Sequence, residues 1–207
     1  PKSNRKITLT VNGEEVTGDE QVANTLNNYF VDKIRGLRSN IDHADVESPL
    51  ERLQEKMESS QIKTFQLRTV REEEVVKALG SLKNKKSSGM DGVSQELLKS
   101  ISSIVSVPLT LIINTSIMTG TFPTPWKRAK VTPIPKSGDP IDPKNYRPVS
   151  CVPTASKVLE SVVEKQVRNY FEENKLFPFK QHGFRRSRST TTALASLIAE
   201  WIERRKL

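Results

Sequence analysis

The chain has 207 residues, 35% hydrophobic and 28% charged, long enough for one or two domains with a real core, and no uninterrupted apolar run nears the ~18 residues of a membrane span. The net charge of +9 is uneven: residues 1–82 carry 12 Lys/Arg against 14 Asp/Glu, net −2, and residues 83–207 carry 21 against 10, net +11. The single cysteine, Cys151, excludes an intrachain disulfide and no Cys/His cluster suggests zinc, so an intracellular location is expected and the basic part is where a polyanion would bind.

No secretory or transit segment opens the chain, which starts at Pro1 and is expected to be cut from a longer polypeptide. "KITLTVNGEEVT" alternates around Asn12-Gly13, a strong hairpin signal. Val22, Leu26, Tyr29, Phe30 and Ile34 follow at helical spacing, with Thr17 or Asp19 as N-cap. A polar, turn-rich linker over 38–48 leads to a short helix around Leu50, Leu53 and Met57, and then to the extended stretch "IKTFQLRTV". Thr69 to Glu72 reads as a capping box for a helix with Val75, Val76, Leu79 and Leu82 on its apolar face.

"KNKKSSGMDGVS" is a loop, and Ser94 is placed to cap the helix carrying Leu97, Leu98 and Ile101. Residues 104–119 read as a buried helix starting near Pro108 and ending at Gly120. "KVTPIPK" is extended, and Pro133 and Pro135 restrict it to a sheet edge. A loop from Ser137 to Tyr146 returns the chain as "YRPVSCV", giving a hairpin over 129–152. Thr154 is expected to cap a long amphipathic helix with Val158, Leu159, Val162, Val163, Val167 and Phe171. "HGFRRSRSTTTAL" then concentrates arginines before a last helix from about Thr190 to Arg204.

Four stretches, in order, resemble reverse transcriptases of non-LTR (LINE-like) retrotransposons: "LTVNGEEVTGDEQVANTLNNYFVDKI", "KNKKSSGMDGVSQELLK", the run from Pro108 to Val163 that contains "PIPKSGDPIDPKNYRPVS", and "LFPFKQHGFRRSRSTTTAL". The resemblance covers nearly the whole chain. It implies an α+β, mainly helical architecture: an N-terminal extension over 1–68 and a fingers region over 69–207 with a small antiparallel hairpin, the palm being absent. That family's metal-binding aspartates belong to the palm. From residue 83 onward the aspartates here are Asp91, Asp139 and Asp142, all in turn-like sequence. Two-metal nucleotidyl transfer needs carboxylates converging on ions ~3.5–4 Å apart. The chain is therefore expected to hold no metal or cofactor and to be inactive alone, with Mg²⁺ expected in the full-length parent.

Residue by residue, the sequence leaves a bland alternative at each position. Arg185, Arg186 and Arg188 form either a solvated basic turn or a phosphate grip on a template strand, where arginine forks and the next helix N-terminus both suit an anion. Gly183 suits a close backbone approach, Phe184 a core anchor or a stacking platform, and His182 a structural role. Lys136 and Arg147 border the hairpin loop; the resemblance implies that they hold the incoming nucleotide's triphosphate, Lys130 being a weaker candidate. Lys83, Lys85 and Lys86 occupy a charged loop that the resemblance places beside template RNA. Asp91 reads as an Asx-turn residue, and Trp126 and Trp201 as packed in the core or under the basic surface. The expected partners are RNA template, RNA/DNA duplex and, with a palm, deoxynucleotide triphosphate. No membrane is expected, and self-association through surface left exposed by truncation is. Two further classes stay open: a host-adopted stand-alone nucleic-acid-binding module, and a protein-interaction or dimerisation domain.

Overall fold

Two small antiparallel hairpins sit among six helices in the computed structural model, which describes residues 6–39, 41 and 64–205. The linker expected over 38–48 lies outside the described residues apart from 38, 39 and 41, and the helix expected around Leu50, Leu53 and Met57 lies wholly outside them.

Strands β1 (Leu9–Val11) and β2 (Glu14–Val16) pair with Leu9 opposite Val16. Their turn has positive φ at both Asn12 (53°) and Gly13 (86°), the two-residue geometry that matches strand twist. Helix α1 (Asp19–Ser39) follows. Neither Thr17 nor Asp19 caps it from outside: Asp19 already lies in the first turn, and the Val22 N–H donates to the Gly18 carbonyl at 2.9 Å. Leu9, Val22 and Leu26 pack with Tyr146 from the second hairpin into a small core, bordered by Ile7, Val16 and Phe30.

The main core gathers α2 (Glu72–Gly80), α3 (Gln95–Ser100), α4 (Ser102–Thr119) and α5 (Thr154–Glu173) around Val75, Leu79, Leu98, Leu109, Ile113, Val158, Leu159 and Val162. Burying a side chain such as Leu79 or Ile113 fully is worth roughly 1.5–3 kcal/mol. "IKTFQLRTV" is extended over its described part but finds no strand partner. Two side-chain amides replace one. Gln166 accepts from the Arg68 N–H (2.9 Å) and donates to its carbonyl (3.0 Å), while Asn114 does the same for Val70 (2.7 and 2.9 Å). Backbone groups that must be satisfied therefore pair with α5 and α4 directly.

Several helix ends differ from expectation. Helix α2 starts two residues later than the Thr69 box implies: Arg71 occupies the N-cap and its N–H donates to Glu74 Oε2 (3.1 Å). The Arg68 fork on the same carboxylate holds Glu74 down to about 2. Ser94 does cap α3, accepting from the Leu97 N–H (3.1 Å). Pro108 lies inside α4 rather than at its start. Both Pro108 and Ile104, whose carbonyl loses its donor, are exposed, so water can satisfy the gap. Nor is α4 a buried helix. Ser106, Leu109 and Ile113 face the core, while Ile104 and Leu111 are 74% and 67% exposed. By length and composition it is apolar enough to cross a membrane, the one such helix among the described residues. Gly120 ends it in the left-handed region (φ 62°), as expected of a glycine C-cap.

Strands β3 (Lys130–Pro135) and β4 (Tyr146–Cys151) form the expected hairpin, with Lys130 opposite Cys151 and Ile134 opposite Arg147. Thr154 opens α5 rather than capping it: its hydroxyl donates to the Val93 carbonyl (2.9 Å). Beside that bond, a Cβ on Gly89 would lie 2.6–2.8 Å from backbone atoms of Val152 and Pro153. The last helix, α6 (Thr190–Arg204), is capped by Ser189, which accepts from the Thr192 N–H (3.2 Å).

Gly89→Ala should destabilise the protein by roughly 1–3 kcal/mol, because backbone on both sides must shift to admit one methyl. Thermal unfolding measures it; a melting temperature equal to wild type would mean that the loop is not pressed against Pro153.

Candidate nucleic-acid interface

The hairpin's hydrogen-bond phase decides which side chains share a face. The Lys136 N–H donates to the Asn145 carbonyl at 2.6 Å, so the pairs Ile134–Arg147, Thr132–Val149 and Lys130–Cys151 are the hydrogen-bonded ones. Pro133, Pro135 and Pro148 all fall at the intervening positions, where an N–H would point away from the ladder. The prolines thus cost the hairpin no internal bond and remove donors from both of its edges. One face presents Val131 and Pro133 toward Val22, Leu26 and Phe30 around a cavity of about 470 Å³. The other carries Lys130, Thr132, Ile134 and Lys136 opposite Cys151, Val149, Arg147 and Asn145.

Lys130, Lys136 and Arg147 are therefore on the same face, exposed, with no ion-pair partner among the described residues. The loop's own carboxylates are engaged elsewhere. Asp139 accepts from the Ile141 N–H (3.1 Å) and Asp142 from the Lys144 N–H (2.9 Å). The Lys144 ammonium, 2.6 Å from Asp142, holds that carboxyl below its usual range. The loop is fastened by the Tyr146 hydroxyl donating to the Pro140 carbonyl (2.7 Å) and the Thr10 N–H donating to Ile141 (2.8 Å). Together these bonds fix the loop, and among the described residues neither carboxylate makes a salt bridge to Lys130, Lys136 or Arg147.

Within the loop over 83–94 a bridge between Ser88 and Ser94 closes the second half, and the Glu96 N–H donates to the Lys85 carbonyl (3.3 Å). Lys83, Lys85 and Lys86 are exposed on it without ion pairs among the described residues. Asp91 accepts from the Val93 N–H (3.2 Å), the Asx turn that the sequence implies. Asp91, Asp139 and Asp142 thus each serve a turn, and no group of three His, Cys, Asp or Glu side chains could hold a metal ion among the described residues.

The arginine turn lies at the far end of α5, and the structure divides its three arginines. Arg185 turns inward: its guanidinium meets Glu172 at 3.1 and 2.7 Å, lies 4.8 Å from the Phe177 ring centroid, and its side chain is only 15% exposed. This bond holds the Glu172 carboxyl below its ordinary value. Arg186 is exposed and unpaired among the described residues, and Arg188 lies 6.0 Å from the Phe179 centroid. Arg168, on α5, donates to the Phe184 carbonyl and pairs with Glu164. His182 is buried, its Nδ1 2.9 Å from Thr192 Oγ1.

The structure excludes the core alternative for Phe184 and Trp201, and the close approach expected at Gly183 is not found. Phe184 is 95% exposed and anchors no core. Gly183 has open space around its Cβ position and no positive φ; the left-handed residues are Phe184 and Ser187. Trp201 is 58% exposed with Arg205 4.6 Å from its centroid, whereas Trp126 does border the core beside Phe122. No residue of α6, Trp201 included, is buried. Sequence reasoning also missed Arg168, Glu172, Phe177 and Phe179. Glu172 precedes Arg185 by 13 positions with a helix end between them, so no local spacing marks the pair.

Thr154 and Glu172 are 18 residues apart on one helix, about 27 Å. The lysine loop docks at one end and the arginine turn at the other, so these two cation sets are not neighbours.

No protein-family model matches the chain. Its sequence is similar to RNA-directed DNA polymerases of non-LTR retrotransposons, and it corresponds to a segment of proteins of that class. A probable RNA-directed DNA polymerase from transposon BS of Drosophila melanogaster is 31% identical over 179 residues, 86% of this chain and 19% of that protein. The RNA-directed DNA polymerase from the mobile element jockey of the same fly is 29% identical over 153 residues, 73% of this chain and 17% of that protein. A probable polymerase from the X-element, also from that fly, is 29% identical over 128 residues, 61% and 14%. The chain thus spans less than a fifth of the length of these relatives.

Glu172→Ala should release Arg185 and loosen the turn while sparing the main core. Amide hydrogen exchange across 183–188 is expected to accelerate, with exchange in α2 and α4 unchanged; equal protection of the turn would show that the pair does not hold it.

Proposed function

We propose that this chain is the N-terminal extension and fingers segment of a retrotransposon RNA-directed DNA polymerase, acting inside the cell to grip template RNA and the phosphates of an incoming nucleotide. The observation that carries this is the hairpin face, where Lys130, Lys136 and Arg147 lie together with no acidic partner among the described residues. A triphosphate suits such a set: a planar fork and compact ammonium groups make charge-assisted bonds to it without base recognition. Lys83, Lys85 and Lys86, with Arg186 and Arg188, contact the template backbone, and Arg185 holds the turn that presents them. Such contacts position a strand and carry no sequence information. On this reading nucleotidyl transfer with Mg²⁺ is the work of the full-length parent's carboxylates, and Asp91, Asp139 and Asp142 here each accept a loop N–H.

Single-stranded RNA binding should weaken with salt at a slope of roughly −0.7 per phosphate neutralised. Replacing Lys83, Lys85 and Lys86 together by alanine should flatten that slope by about two units. Salt-independent binding by the wild-type chain would remove the template assignment.

In a protein extended to include the catalytic aspartates, Arg147→Ala should raise the nucleotide KM while leaving RNA affinity little changed, and Arg147→Lys should also be poor because an ammonium lacks the fork. Steady-state primer extension over a nucleotide titration, paired with RNA binding at fixed salt, measures this. Loss of RNA affinity with unchanged KM would move Arg147 to the template surface.

The apolar outer faces of α4 and α6 favour a second role, self-association: Leu197 and Met118 are among many large apolar side chains left exposed. A concentration-dependent mass in solution would support it, and a monomer at all concentrations would dismiss it.

A further inference from the structure

We infer that Phe184 is a stacking ring for an unpaired base of single-stranded nucleic acid, flanked by Arg186 and Arg188 on the adjoining phosphates. This rests on the template-binding role proposed above and names the group that distinguishes a single strand from a duplex.

The ring is 95% exposed. Among the described residues no aromatic or cationic group lies against it, although Arg185 and Arg188 each lie over a neighbouring phenylalanine. The backbone is not loose there. Phe184 sits at φ 59° and Ser187 at φ 57°, a left-handed conformation that costs a side-chain-bearing residue energy and persists only where the surroundings hold it. The surroundings do hold it: Arg168 takes the Phe184 carbonyl, and Arg185 is clamped to Glu172 and laid on Phe177. One residue after the other is fastened to α5, yet the ring between them is directed outward.

The chemistry around the ring favours a polyanion with flat apolar units. Glu164 and Glu172 are both engaged by arginines, so the nearby carboxylates are neutralised, while Arg186 has no partner among the described residues. Phe179, 75% exposed, lies beneath Arg188 on the same turn region. Aromatic stacking accepts any base because every base has a π face, and arginine next to it takes phosphate. In a duplex the bases are already stacked on each other and offer the ring nothing.

The test uses the full chain with Phe184→Ala, Phe184→Leu and Phe184→Trp, each checked for helical content by circular dichroism. The probes are short oligo-uridine, oligo-adenosine and a blunt RNA duplex, titrated at several salt concentrations. Phe184→Ala and Phe184→Leu should each lose about tenfold in single-strand affinity with an unchanged salt slope, because the ring carries no charge. Phe184→Trp should bind at least as tightly as wild type, and duplex affinity should be the same in all four proteins. Undiminished single-strand binding by Phe184→Ala would overturn the stacking role and leave the template role standing. So would full affinity in Phe184→Leu, which would make the residue a general apolar contact for a protein partner. A wild-type chain that binds no RNA in a salt-dependent way would remove both.

Discussion

The rest of the molecule is registered by the contact between Gly89 and the Val152–Pro153 peptide. With no Cβ at 89, the lysine loop comes within van der Waals reach of the point where β4 ends and α5 begins, and the Thr154 hydroxyl locks it there through the Val93 carbonyl. That one junction ties together three things: the loop bearing Lys83, Lys85 and Lys86, the hairpin bearing Lys136 and Arg147, and the helix that forms a wall of the main core. Any side chain at 89 would pry the loop from the helix start, and with it the register between the two cationic surfaces.

Backbone polar groups account for much of the remaining architecture. The extended segment before α2 would be an orphan strand without Asn114 and Gln166, whose amides present a donor and an acceptor in the same spacing that a neighbouring strand would. The hairpin solves the opposite problem. Its three prolines remove outward donors, which blunts the edges against strand addition and leaves side chains, not backbone, as the means by which this hairpin can recognise anything. A nucleotide or nucleic-acid strand fits that constraint better than an added β-strand.

Local chemistry made a good deal of this legible in the residues. Asn12-Gly13 allows both positive φ values of its turn, Ser94 caps α3, Gly120 ends α4, and the spacing of Val158, Leu159 and Val162 marks the buried face of α5; each is set by neighbours a few positions away. What failed was set by distant partners. Uniform apolarity made α4 read as buried, but only tertiary packing decides that Ile104 and Leu111 stay outside. Thr154 reads as a cap until Val93 claims its hydroxyl. Three arginines within four positions read as one grip, and nothing near them in sequence signals that Glu172 would take Arg185. The hairpin face was legible as a pair of cations bordering a loop; that Asp139 and Asp142 turn into loop hydrogen bonds, leaving those cations without an ion pair among the described residues, was not.

Helix α5 then sets a length scale for anything that engages both ends. Its packed hydrophobic face makes it a rigid spacer of about 27 Å between the Gly89 junction and the Glu172–Arg185 pair. A stacked strand advances about 3.4 Å per nucleotide, so the helix between the two ends alone matches the length of about eight stacked nucleotides. The separation also has an electrostatic consequence: at physiological salt the Debye length is about 8 Å, so the two sets are mutually screened and do not repel each other in the free protein. Cations divided this way burden the fold less than one cluster of Lys83, Lys85, Lys86, Arg186 and Arg188 would, Arg185 being already paired with Glu172.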